Sequence, residues 1–94
     1  MGSEVIAQLL LQVPGWALVD AAIQKRYDFA DYHRTMAFVN AVAFVAHTQD
    51  HHPDLLVSYN QCTVRYNTHS VGGLSINDFI CAARLDALLE HPLP

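Results

Sequence analysis

From Leu55 onward the chain alternates twice. Leu55, Val57 and Tyr59 interleave with Leu56, Ser58 and Asn60; after a turn at Asn60-Gln61, Cys62, Val64, Tyr66 and Thr68 interleave with Thr63, Arg65, Asn67 and His69. A period of two sends successive side chains to opposite faces, so the stretch reads as a β-hairpin with one buried face. An isolated hairpin is marginally stable at best in water. The remaining residues must therefore supply strands to widen the sheet and helices to cover it.

They carry the patterns for both. From Tyr32 to about Thr48 there is neither Pro nor Gly, and Asp31 precedes the run as an N-cap. Met36, Val39, Ala43 and Ala46 form one apolar stripe, Phe38, Val42 and Val45 a neighbouring one, and Phe44 lies apart. A helix apolar on more than one side suits packing on a sheet and on a second subunit. Upstream, Ser3 is placed to cap a short helix with Ile6, Leu9, Leu10 and Val13 on one face, stopped by Pro14-Gly15. Trp16–Val19 reads as a strand, Asp20-Ala21-Ala22 as a turn, and Ile23, Lys25, Tyr27 and Phe29 as one face of a second strand. Downstream, Ser75-Ile76-Asn77-Asp78 is a capping-box variant. It opens a last helix with Ile76, Ile80, Ala83 and Ala87 on its face, flanked by Phe79 and Leu88, and closed by His91-Pro92. The predicted order is α-β-β-α-β-β-α: an α+β fold, one domain over residues 1–94, a single four-stranded antiparallel sheet with three helices packed on one face.

Composition narrows the function classes. Hydrophobic residues are 52% of the 94 residues and charged ones 15%. That is more apolar surface than a small monomer hides, and it predicts a homo-oligomer. The net charge is −4, and Lys25, Arg26, Arg34, Arg65 and Arg84 are scattered. This charge pattern argues against nucleic acid and membrane surfaces as partners. Cys62 and Cys81 match neither a metal knuckle nor a redox pair, and read as reduced thiols of a cytoplasmic protein. The run Val5–Val13 lacks a basic flank and a cleavage site, so no targeting segment is expected.

Six histidines remain. His33 and His91 carry no spacing argument and read as solvated. His47 and His51 are four apart, and with His52 and His69 they raise a zinc site as one reading. Yet no Glu stands between them as a base, and Pro53 stops the helix at that point. His51-His52-Pro53 precedes the hairpin and His69 ends it. Two or three imidazoles around one pocket suit proton transfer near neutral pH. No Ser or Cys has the setting of an activated nucleophile. The plainer reading of the same residues is a helix-end cluster favoured by the helix dipole.

Gly15-Trp16, Ala37-Phe38-Val39-Asn40, His51-His52-Pro53-Asp54, Ser58-Tyr59-Asn60, Thr68-His69 and Gly72-Gly73-Leu74-Ser75 with Asp78 stand in order along the chain. Together they resemble the pterin-4a-carbinolamine dehydratase family from Gly15 to Leu88. Its pattern is a polar residue, His-His-Pro, an aromatic, a third His and a later Asp. Here that pattern is met by His47, His51-His52-Pro53, Tyr59, His69 and Asp78. The resemblance implies dehydration of a 4a-hydroxytetrahydropterin left by aromatic amino-acid hydroxylases, with no metal and no organic cofactor. It also implies homodimers or homotetramers. Carried over by position, His51 and His69 become the acid/base pair, and His52 orients the pterin. Asp78 caps its helix and holds a histidine in its working tautomer, which completes a catalytic set of His51, His52, His69 and Asp78. Asp50, Pro53, Asn67, Thr68 and Ser70 join those histidines in lining the substrate pocket.

Two positions depart from the family pattern: His47 and Ser70 stand where acidic residues are common. Both changes remove negative charge near the imidazoles, so an altered pH dependence is expected. The alternative from the same resemblance is an accessory module that binds a protein partner through its helix face.

Overall fold

The computed structural model describes residues 1–90, so the closing His91-Pro92 of the sequence reading lies outside the described residues. The elements are α1 (Ser3–Leu10), β1 (Ala17–Val19), β2 (Ala22–Asp28), α2 (Tyr32–Gln49), β3 (Asp54–Val57), β4 (Gln61–Tyr66) and α3 (Ile76–Ala87), with a 3-10 turn at His69–Val71. The expected order holds, and the 3-10 turn is an addition to it.

The four strands form one antiparallel sheet in the order β1-β2-β4-β3. The two hairpins therefore join through their longest strands, with Ile23 opposite Tyr66 and Tyr27 opposite Cys62. The short strands β1 and β3 become the edges. Alternation in β4 is strict: Cys62, Val64 and Tyr66 are fully buried. They face Ile23 and Tyr27 of β2 and Phe38, Val42 and Val45 of α2 in one core. Cys62 and Cys81 are both free and buried.

Local chemistry explains most element boundaries. The Asp31 side chain accepts the Arg34 backbone N–H at 2.8 Å, as an N-cap does. Thr35 is fully buried, and its Oγ1 donates to the Asp31 and Tyr59 carbonyls, tying the start of α2 to the β3–β4 turn. Gly15 adopts φ 92°, where an added Cβ would also meet the Lys25 side chain at 3.0 Å. Ser3 proves to be the first residue of α1, and Gly2 is its N-cap.

One helix face is corrected. Ile76, Ile80, Ala83 and Ala87 do not face the core; Ile76 is 50% exposed and Ile80 39%. The inward residues of α3 are Asp78, Phe79, Cys81, Ala82 and Leu85. Two apolar stripes compete on this helix, and periodicity does not rank them. The fixed point is Asp78, whose carboxylate is drawn inward by the partners described below.

Candidate active site

Helix α2 ends in a way that aims His51. Asp50 takes a left-handed conformation, φ 48° and ψ 44°, and its N–H bonds to the Ala46 and His47 carbonyls. The next N–H, that of His51, reaches back to the Ala46 carbonyl at 3.1 Å. This is a Schellman-type ending with Asp where Gly is usual. Asp is among the few non-glycine residues that visit this region, at a cost of roughly 1 kcal/mol. The helix thus stops before His51, and His47 and His51 do not share a helical face.

Strand β4 supplies the floor. The His51 ring lies against the buried Tyr66 ring, with centroids 5.2 Å apart and planes 16° from parallel. Tyr66 Oη donates to the His51 carbonyl at 3.4 Å. Burial pushes the Tyr66 phenol well above its usual range, helped by the Cys81 and Asp78 side chains, so it stays a neutral donor.

Helix α3 supplies the acid. Asp78 is fully buried at the third position of the helix. Its Oδ2 accepts the Ser75 backbone N–H at 2.9 Å and Thr68 Oγ1 at 2.9 Å. Thr68 Oγ1 is also 2.7 Å from Ser75 Oγ. Asp78 Oδ1 lies 2.5 Å from His51 Nε2. The capping role and the histidine-holding role of Asp78 therefore coexist. With Oδ2 taking two donors, the carboxylate acts as acceptor and Nε2 carries the proton. A neutral His51 ring then keeps its lone pair on Nδ1. The His51 side chain is 14% exposed, enough for its outer edge to meet solvent or a ligand.

The other predicted residues are neighbours in sequence of the groups that Asp78 holds. His52 is exposed and follows His51; His69 is exposed, opens the 3-10 turn and follows Thr68. Asp78 thereby links the two segments that carry the three histidines. Among the described residues no side-chain hydrogen bond joins His52 or His69 to it. No group of three or more His, Cys, Asp or Glu there is arranged to hold a metal ion. Asp50 and Ser70 are exposed, and Pro53, Asn67 and Thr68 are half-buried. Two contributors were not singled out for the site by the sequence reading. Tyr66 is only one apolar position of the hairpin in that reading, and Ser75 a helix cap and a motif position with no role at the site. The available signal for Tyr66 was an aromatic on the buried face of β4, two residues before Thr68.

A second polar cluster lies elsewhere. Asp86 of α3 accepts Trp16 Nε1 at 3.1 Å, Lys25 Nζ at 2.9 Å and Tyr27 Oη at 2.5 Å. It borders a cleft of about 540 Å³ that Lys25, Tyr27, Asp28 and Ala83 also line, and that none of the histidines among the described residues lines. Every donor in this cluster is aimed at one carboxylate, which is the arrangement of a structural node. No buried side-chain nitrogen or oxygen among the described residues lacks a partner.

Comparison with known proteins gives the family and the fold. The family model described as pterin 4 alpha carbinolamine dehydratase matches residues 1–88. A protein of Xanthomonas campestris is 58% identical over 93 residues, covering 97% of this chain and 79% of its own length. One of Nitrosospira multiformis is 52% identical over 90 residues, covering 96% and 80%. Both carry the provisional name pterin-4-alpha-carbinolamine dehydratase. A Brucella melitensis crystal structure, described as a transcriptional coactivator/pterin dehydratase, superposes with TM-score 0.90 at 29% identity, covering 94% of this chain and 96% of that one. A pterin dehydratase-like protein described as a RuBisCO assembly factor in the alpha-carboxysome shares the fold, with TM-score 0.69 at 23% identity over 84% and 94%.

Proposed function

This chain belongs to the pterin 4 alpha carbinolamine dehydratase family, and from that premise we propose that it eliminates water from a 4a-hydroxytetrahydropterin by histidine acid–base catalysis. In that reaction the C4a–O bond breaks. A proton delivered to the hydroxyl oxygen lets it leave as water, and a proton leaves a ring nitrogen as the new C=N bond forms. The product is a quinonoid dihydropterin. Each transfer needs a group that gives or takes a proton near neutral pH.

The observation that carries this reading is the His51–Asp78 pair. A buried carboxylate on Nε2 orients the ring and leaves Nδ1 as the atom that exchanges protons. His69 is the second member of the acid/base pair, and His52 orients the pterin. Thr68 Oγ1, with a donor and an acceptor already engaged, retains one lone pair for an N–H of the pterin's amide-like edge. Asp50, Pro53, Asn67 and Ser70 line the remainder. This chemistry asks for no metal and no organic cofactor.

The test is the rate of 4a-hydroxytetrahydropterin dehydration with and without the protein. Acceleration proportional to enzyme, reduced roughly 10²–10⁴-fold in His51→Ala and His69→Ala, is expected, with His33→Ala unchanged. Wild-type rates in both site variants would remove the histidine assignment.

A second reading has its own support. Phe44 on the outer side of α2 is 70% exposed, and Ile76 and Ile80 add apolar surface on α3. Such faces suit a second copy or a protein partner. The coactivator and assembly-factor descriptions of the two structural neighbours point the same way. A folded protein with no effect on dehydration would make this the primary function. Homo-oligomerisation, read from the same apolar surface, is measured by sedimentation.

A further inference from the structure

We propose that Tyr66 is a positioning residue for His51, setting the plane in which the imidazole presents Nδ1. The inference rests on the acid–base reading and adds to it a residue outside the motif that points there. Asp78 alone does not fix the ring. One hydrogen bond at Nε2 leaves the imidazole free to pivot about the line from Nε2 to the carboxylate, which swings Nδ1 through an arc. The backbone ending of α2 fixes Cα of His51 but not its side-chain torsions, and terminal torsions onto planar rings are broad. The missing restraint is a flat surface.

Tyr66 supplies one. It is fully buried, at the last position of β4, opposite Ile23 in the middle of the sheet. It belongs to the buried core, with the Trp16 ring 6.4 Å away, so the phenol ring is held by close packing. The His51 ring lies 16° from parallel to it at 5.2 Å. The hydroxyl reaches past the ring to the His51 carbonyl at 3.4 Å, a long contact that contributes less than the stack. The ring face, more than the hydroxyl, is therefore the positioning element.

This ranking is what the experiment reads. The Nε2 proton of His51, bonded to a buried carboxylate, is expected to give a slowly exchanging low-field NMR resonance in the ligand-free wild-type protein. Tyr66→Phe keeps the stack and is expected to retain both that resonance and kcat within about twofold. Tyr66→Leu removes the flat face. It is expected to broaden or shift the resonance and to lower kcat roughly ten- to a hundredfold, with KM nearly unchanged. Tyr66→Met, which refills the space with a flexible side chain, serves if the leucine variant does not fold. A role in packing alone would lower the melting temperature and leave the resonance in place. An unchanged resonance in folded Tyr66→Leu or Tyr66→Met overturns the proposal. Because it is read without substrate, this result stands whether or not any variant dehydrates a pterin.

Discussion

His51 Nε2 and Asp78 Oδ1 lie 2.5 Å apart across 27 residues of chain, one at the end of α2 and the other in the first turn of α3. Asp78 also holds Thr68 and the Ser75 N–H, so one buried carboxylate ties two helix termini to the end of β4. Stability and chemistry meet in that group. It satisfies the Ser75 N–H at a helix start while choosing which imidazole nitrogen carries the proton.

Asp78→Asn separates these duties. The amide keeps one acceptor oxygen but presents N–H₂ where an acceptor stood, so at least one of three donors loses its partner. We expect a loss of roughly 1–3 kcal/mol, measured by urea unfolding. If the amide nitrogen faces His51, the ring must turn Nε2 into the acceptor, and turnover should drop roughly 10²-fold or more. A variant with full stability and full turnover would show that the carboxylate serves neither role.

Asp86→Ala should weaken the fold without touching the histidines. It strands Trp16 Nε1 and Tyr27 Oη, both on buried residues, and removes the partner of Lys25. The expected cost is about 2–3 kcal/mol, with rates per folded molecule unchanged. Trp16 fluorescence during unfolding reports it. If stability held while turnover fell, the cluster would belong to the active site after all.

Asp50→Gly should stabilise. The left-handed backbone that ends α2 suits glycine better than aspartate, and the gain, net of the greater chain entropy of glycine, is up to about 1 kcal/mol. Thermal melting measures it. Activity is read separately, since the same substitution removes a side chain proposed to line the pterin pocket. A lower melting temperature would mean that the Asp50 side chain stabilises the helix end by more than its backbone costs.

Alkali should unfold this protein early. Burial raises the Tyr27 and Tyr66 phenols and the Cys62 and Cys81 thiols above their usual values. In the unfolded chain thiols ionise near pH 8.5 and phenols near pH 10, as such groups ordinarily do. Above those values the unfolded state binds fewer protons than the native state, so stability falls as pH rises. It is fully present below about pH 8, begins to decline as the thiols would ionise in the unfolded chain, and falls further above about pH 10, where the phenols would. Urea midpoints across that range test it; a flat series would mean that these groups ionise without unfolding.

The sequence by itself determined what depends on neighbours along the chain. Period two marked β4, the gap between Pro and Gly marked α2, Asp31 marked its start, and Ser75 with Asp78 marked the start of α3. Caps and alternation act over a few residues, which is why they are legible before any folding. The motif of three histidines and an aspartate was legible too, as a list of residues. Only the tertiary structure decided that His51 and Asp78 meet. It joined the hairpins through β2 and β4, because the two longest strands bury the most surface at the centre. It chose the Phe79, Ala82 and Leu85 stripe of α3 over the Ile76 and Ile80 stripe, which docking alone distinguishes. And it placed Tyr66 beneath His51, a contact between a strand end and a helix end that no local rule encodes.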